Sequence, residues 1–323
     1  MGQEPSRVLF VTTPHLGDAV MASPFGAWLR AGWPSARIEA LTGPAGVEIL
    51  RATGAYDRVS PRPEGALGRL LWSLRTRRAP PDVAVFCYSH RGLLRALRRA
   101  GARQLWVVQG DRPFPGADRE SAPQGDEREV PDALARLLVD AGLPAGSVRP
   151  DLRPSEADRR RAGELAAGLG GPAVALHPGS SSVAKQWPIE GWRDLAVALQ
   201  ARGFCPVWIG TKGQADPLLG DTPKSVDLCG AFSPLGTAAF LSHCRALVTG
   251  DSGPMHLAGA VGCPVVGLFG PTSARKFRPW GDGHQFLQAR CERACGGVDA
   301  CRGECMRQHS VAHVLEALGR ILA

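Results

Sequence analysis

The residues from Val248 to Thr272, VTGDSGPMHLAGAVGCPVVGLFGPT, constrain the fold of this chain most tightly, because they read as strand, turn, helix, strand and loop in one short run. Leu247 and Val248 end an apolar stretch, Gly250 lets the backbone turn sharply, and Asp251 or Ser252 can cap a helix from about Gly253 to Val261. A helix opening at this point offers unpaired N–H groups and a partial positive charge, which suits a pyrophosphate beyond a strand's carboxyl end. Gly262-Cys263-Pro264 stops the helix, Val265–Phe269 reads as a second buried strand, and Gly270-Pro271-Thr272 as a loop that can approach a ligand closely. Pattern alone leaves a purely structural turn as open as a nucleotide site, since many α/β proteins use strand-glycine-helix turns without a ligand.

The same alternation runs through the chain. Arg7–Thr13 is a short apolar strand with a helix expected over Gly17–Leu29, and strands at Arg37–Leu41, Val83–Phe86 and Leu105–Val108 alternate with helical stretches. Asp111–Glu129, rich in charge, Pro and Gly, reads as a long loop before a helix at about Pro131–Ala141, and Leu143–Pro154 reads as a linker. The pattern then restarts with a helix at Ser155–Leu169, a strand at Ala173–His177 and a helix from Ile189 whose Ile189, Trp192, Leu195, Ala196 and Leu199 share one face. Strands at Cys205–Ile209 and Ala246–Val248 and an amphipathic helix at Val311–Leu322 complete it. The expected class is α/β, with parallel sheets in two domains, residues 1–150 and 151–323.

Three segments in this order, PHLGD at Pro14–Asp18, HPGSSSVAKQWP at His177–Pro188 and the Val248–Thr272 run, resemble glycosyltransferase family 9, the ADP-heptose:lipopolysaccharide heptosyltransferases. The resemblance implies a GT-B fold, two Rossmann-like domains facing a cleft, with acceptor on the N-terminal domain and nucleotide sugar on the C-terminal one. It also implies an inverting transfer of heptose from ADP-L-glycero-D-manno-heptose to the lipopolysaccharide inner core, with the ADP-sugar as substrate and no required cofactor. A family member using another sugar or acceptor, and a nucleotide-sugar-binding protein without catalysis, stay open.

Such a transfer needs a base for the acceptor hydroxyl and positive charge for the leaving diphosphate. Asp18, read from its position alone as a helix cap, matches the family's Gly-Asp motif and so becomes the expected base; His15 is the rival base, and His15 and Gly17 are candidate acceptor contacts. Lys185 in K-x-W-P resembles the donor-phosphate loop, with Ser180, Ser181 and Ser182 as hydroxyl donors. Ser252 and the Gly253 N–H are expected on phosphate, Asp251 ordering the turn, and His256 either touching donor or serving as a helix histidine. Gln214 falls where the family often has an acidic ribose contact, with Asp216 as a nearby substitute.

The formal charge of +8 attracts anions of every kind and names no partner. With two tyrosines and no RNA or DNA module, a nucleic-acid role rests on charge alone, and none is expected. Arg91, Arg95, Arg98, Arg99 and Arg103 with Leu93, Leu94 and Leu97 can form a basic face beside an apolar one, which is either a solvated helix or a contact for acidic headgroups. No apolar run is long enough to span a membrane and the N-terminus passes within a few residues into a strand, so a cytoplasmic enzyme is expected, with room for peripheral attachment at the inner face of the bacterial inner membrane. Among nine cysteines, Cys291, Cys295, Cys301 and Cys305 cluster; a structural metal site and plain buried thiols are the alternatives. Oligomeric state leaves no mark on the sequence.

Overall fold

The computed structural model describes residues 4–63, 65–88, 90–108, 116–124, 130–222, 224–290, 298, 301 and 304–322. The chain divides into two compact units, Met1–Arg153 and Pro154–Ala323.

The first unit contains strands β1 Arg7–Val11, β2 Arg37–Thr42, β3 Arg58–Pro61, β4 Val83–Phe86, β5 Gln104–Val108 and β6 Arg119–Ser121 in one sheet, ordered β3-β2-β1-β4-β5-β6. Every pairing is parallel, with Val8 opposite Ile38 on one side and Val83 on the other. Side chains alternate across a strand, so β1 feeds two cores. Val8 and Phe10 join Phe25, Trp28, Leu134 and Leu138 on one face, while Leu9 and Val11 join Leu93, Leu94 and Leu97 on the other.

The second unit repeats the plan. Strands β7 Ala173–His177, β8 Cys205–Trp208, β9 Val226–Asp227, β10 Ala246–Gly250, β11 Val265–Phe269 and β12 Gln285–Gln288 form a parallel sheet ordered β12-β11-β10-β7-β8-β9. Val174, Leu176, Val248 and Leu268 pack against Trp192, Leu195 and Leu199 of helix Ile189–Gln200 and Val314 and Leu318 of helix Val311–Leu322. In both sheets the chain winds outward from an inner strand and then returns to build the other half. At β1/β4 and at β7/β10 the connections therefore leave in opposite directions, which opens a crevice at the strands' carboxyl ends.

The elements that differ from the sequence reading do so for local reasons. The helix expected over Gly17–Leu29 is two helices, Leu16–Ala22 and Phe25–Gly32. Pro24 has no N–H to give back to the first helix, and the Ser23 N–H and hydroxyl both bond the Val20 carbonyl in closing it. β6 lies inside the stretch read as loop, an edge strand of three residues too short to show a period. Ile189 is 37 % exposed because it opens its helix, whereas the other four residues of that face are buried. In helix Arg91–Ala100 the leucines are spent on the core, Arg98 pairs with Asp118 at 2.6 Å, and Arg91, Arg95 and Arg99 are exposed.

Where β7 and β10 end side by side, His177 Nδ1 lies 3.2 Å from both Thr249 Oγ1 and Ser252 Oγ, and those two hydroxyls are 2.8 Å apart. Burial holds the imidazole neutral by lowering its pKa to about 4. The unfolded chain, with an ordinary histidine near 6.5, takes up the proton first as pH falls. This contribution to stability is full above about pH 6.5 and is lost towards pH 4. We expect it to remove about 2 kcal/mol between pH 7 and pH 5. Urea unfolding of wild type and His177→Gln at those two pH values checks this: the variant's stability should vary less across the window, and equal slopes would refute the buried neutral imidazole.

Candidate active site

In the first unit the segment leaving β1 carries Thr13, His15, Gly17 and Asp18. Asp18 lies in the first turn of helix Leu16–Ala22, half-buried, and accepts a hydrogen bond from the Thr13 hydroxyl. The same Thr13 oxygen accepts from the His15 N–H at 3.2 Å, so one hydroxyl ties the turn to the carboxylate. His15 is exposed and Gly17 buried, which puts the imidazole and the glycine in different surroundings although they are neighbours in sequence. The Cys87 thiol at the end of β4 is pushed well above its ordinary pKa by burial and then by the charge of Asp18, which locates that carboxylate beside the β1/β4 crevice.

Three further residues position this turn, and no local signal in the sequence marks them. Thr12 Oγ1 donates to Thr42 Oγ1 at 2.7 Å, joining the ends of β1 and β2. Gly43 leaves space for the Pro14 carbonyl, which would lie 2.0 Å from a Cβ there. The half-buried Arg62 donates through Nη1 to the Thr12 carbonyl at 3.2 Å.

In the second unit the loop after β7 and the turn after β10 meet. Gly250, expected to let the backbone turn sharply, ends β10 outside the left-handed region, and its missing Cβ admits the Lys185 carbonyl, 3.1 Å from where that carbon would be. The Lys185 side chain then reaches Asp251, Nζ to Oδ2 3.2 Å, with the two side chains 15 % and 12 % exposed. An ion pair this sheltered is screened little by solvent, and removing either member leaves the other charge uncompensated.

Ser252 occupies the N-cap position of helix Gly253–Val261 but its hydroxyl makes no capping bond. It is held instead by His177 and Thr249. Pro254 has no N–H, and the first turn's polarised end is left to the Gly253 N–H and the backbone beyond. His256 is half-buried in that turn. Gly262, at φ 79°, closes the helix as expected.

The three serines separate in role. Ser182 caps the short 3-10 turn Val183–Lys185 by accepting from the Ala184 N–H at 3.3 Å, and Ser180 Oγ accepts from the Ser182 N–H at 3.3 Å. Ser181 is exposed. Gln214 accepts from the Thr211 N–H at 3.0 Å and packs so closely on Gly179 and Gly210 that a Cβ at either would meet its carboxamide, while Asp216 is exposed. Gly179, Gln214 and Trp187 line a cavity of about 530 Å³ beside this loop. Its size is ordinary for small-molecule sites. His177 is the residue the sequence reading missed here; it was visible as the head of HPGSSS, and its role became legible only once Thr249 and Ser252 stood against it.

Of the cysteine cluster, Cys291 and Cys295 lie outside the described residues. Cys305 is buried and packs with Met306 against Gly270, and among the described residues no group of three potential metal ligands occurs. No helix among the described residues is long and apolar enough to cross a membrane.

The profile of glycosyltransferase family 9 (heptosyltransferase) matches residues 120–301. Lipopolysaccharide heptosyltransferase 1 of Pseudomonas aeruginosa is 25% identical over 294 residues, covering 83% of this chain and 79% of that one. Lipooligosaccharide heptosyltransferase 2 of Haemophilus influenzae is 30% identical over 122 residues, 34% of this chain and 35% of that one. Among solved structures, E. coli ADP-heptose lps heptosyltransferase II superposes with a TM-score of 0.74 at 20% identity, covering 98% of each chain, a likeness of fold that agrees with the GT-B class expected from the sequence. The family profile spans more than half of the sequence and includes the Lys185 loop and the Asp251 turn, so the chain belongs to glycosyltransferase family 9, the heptosyltransferases.

Proposed function

We propose that this glycosyltransferase moves L-glycero-D-manno-heptose from its ADP donor onto the lipopolysaccharide inner core, with inversion at the anomeric carbon. The observation that carries the reading is the Lys185–Asp251 pair in front of helix Gly253–Val261, at the β7/β10 switch point of the second sheet. Lysine and helix start together place positive charge where a nucleoside diphosphate departs. Asp251 holds the ammonium in position before donor arrives, and His177 and Thr249 fix the Ser252 hydroxyl beside it. Donor oxygens replace part of this network, the Gly253 N–H and Ser252 hydroxyl donating to the diphosphate.

Asp18 takes the proton of the acceptor hydroxyl as that oxygen attacks the anomeric carbon and the bond to the diphosphate breaks. Thr13 orients the carboxylate by donating to one oxygen, leaving the other for the proton. The names of the relatives support heptose as the sugar and lipopolysaccharide or lipooligosaccharide as the acceptor. ADP as the nucleotide has support from the name of the E. coli structure. A member of the same family with another sugar would keep Lys185, Asp251 and Asp18 and change the groups around the donor's sugar.

Incubation with ADP-heptose and a heptose-deficient core acceptor, read by product mass, tests the reaction: addition of one heptose supports it and no addition refutes it. Asp18→Asn should lower kcat about 10²- to 10⁴-fold, the span of general-base catalysis, with ADP affinity by calorimetry unchanged. Full turnover by that variant would remove Asp18 as base. Lys185→Met should weaken ADP binding about 10- to 100-fold, the worth of a charge-assisted hydrogen bond, and wild-type affinity in the variant would take Lys185 off the diphosphate.

A further inference from the structure

Helix Gly65–Arg78 presents its leucines to solvent. Leu67, Leu70, Leu71 and Leu74 are 67 %, 56 %, 51 % and 48 % exposed, although their spacing of three and four residues is that of a stripe meant for burial. The helix meets the protein through the opposite side, where half-buried Trp72 packs on the core beneath β4 and Thr76 bonds back to the Trp72 carbonyl at 2.8 Å. Arginines follow the stripe: Arg75, Arg77 and Arg78 crowd its last turn and are exposed. The neighbouring helix Arg91–Ala100 packs alongside and adds exposed Arg91, Arg95 and Arg99, and neither helix contains an acidic residue.

We propose that this leucine stripe and its arginine rim form a docking surface for a lipid bilayer with anionic headgroups. An apolar ridge of this kind exposed to water is costly, and burying it in the acyl boundary recovers the hydrophobic contribution. The arginines then lie at the level of phosphate-bearing headgroups, where their charge is matched. A second copy of the chain fits the surface worse, because a twofold contact through the same helices would set arginine against arginine with no carboxylate between them. The inference goes beyond the transfer reaction and does not depend on which sugar or acceptor is used.

Sedimentation with vesicles tests it without donor or acceptor, so its failure is separable from failure of the proposed reaction. Wild type should bind vesicles of phosphatidylethanolamine with phosphatidylglycerol and bind phosphatidylcholine vesicles much less. Leu70→Gln combined with Leu71→Gln should weaken binding by at least about ten-fold, as loss of two apolar anchors predicts. Because both side chains are exposed, the thermal midpoint should not move. Arg75→Ser with Arg77→Ser and Arg78→Ser should abolish the preference for phosphatidylglycerol. Absence of wild-type binding, equal binding to both vesicle types, variants that bind like wild type, or a wild-type dimer that the leucine substitutions turn into monomer with vesicle binding unchanged would each overturn the proposal.

Discussion

Burial of both faces of each parallel sheet is the constraint from which the rest of the structure follows. Strands such as Val8–Val11 and Val174–Leu176 are apolar on successive residues, so each must be covered from two sides. Helices do the covering, and crossover connections of one hand place them there. With the strand order β3-β2-β1-β4-β5-β6 and its repeat in the second unit, neighbouring connections diverge at β1/β4 and β7/β10 and open a gap there. The polar residues Thr13, Asp18, His177, Lys185, Asp251 and Ser252 stand at those gaps.

The second unit shows how such a gap becomes a site prepared for charge. Gly250 lets the Lys185 backbone come close; closeness brings the ammonium to Asp251; and the buried neutral His177 fixes the hydroxyl at the helix start. In the proposed reaction these groups are already held by protein contacts, which lowers the reorganisation needed as the diphosphate leaves. A neutral histidine suits this place because a second buried cation beside Ser252 would lack a partner of its own.

Much of this plan is legible in the sequence, because burial and backbone chemistry are local. The β7, helix Gly253–Val261 and β11 segments show in their apolar runs and bounding glycines, with the expected limits reproduced by the structure. β3, β9 and β12 are two to four residues long and half-exposed, and leave too few positions for any period. The Gly17–Leu29 region looked like one helix because apolar spacing continues across Ser23-Pro24, although proline cannot donate the bond that would carry the helix through.

The sequence by itself determined the α/β class, the parallel sheets and the family, since motif order and residue periodicity are properties of the chain read in line. It also marked Asp18, Lys185 and Asp251 as candidates. Only the tertiary structure decided that Lys185 pairs with Asp251, that Gly250 serves close approach instead of a turn, that His177 holds Ser252, and that the leucines of helix Gly65–Arg78 face outward. These depend on contacts between residues up to 75 positions apart, or on which side of a helix meets the sheet, and neither is encoded in local spacing.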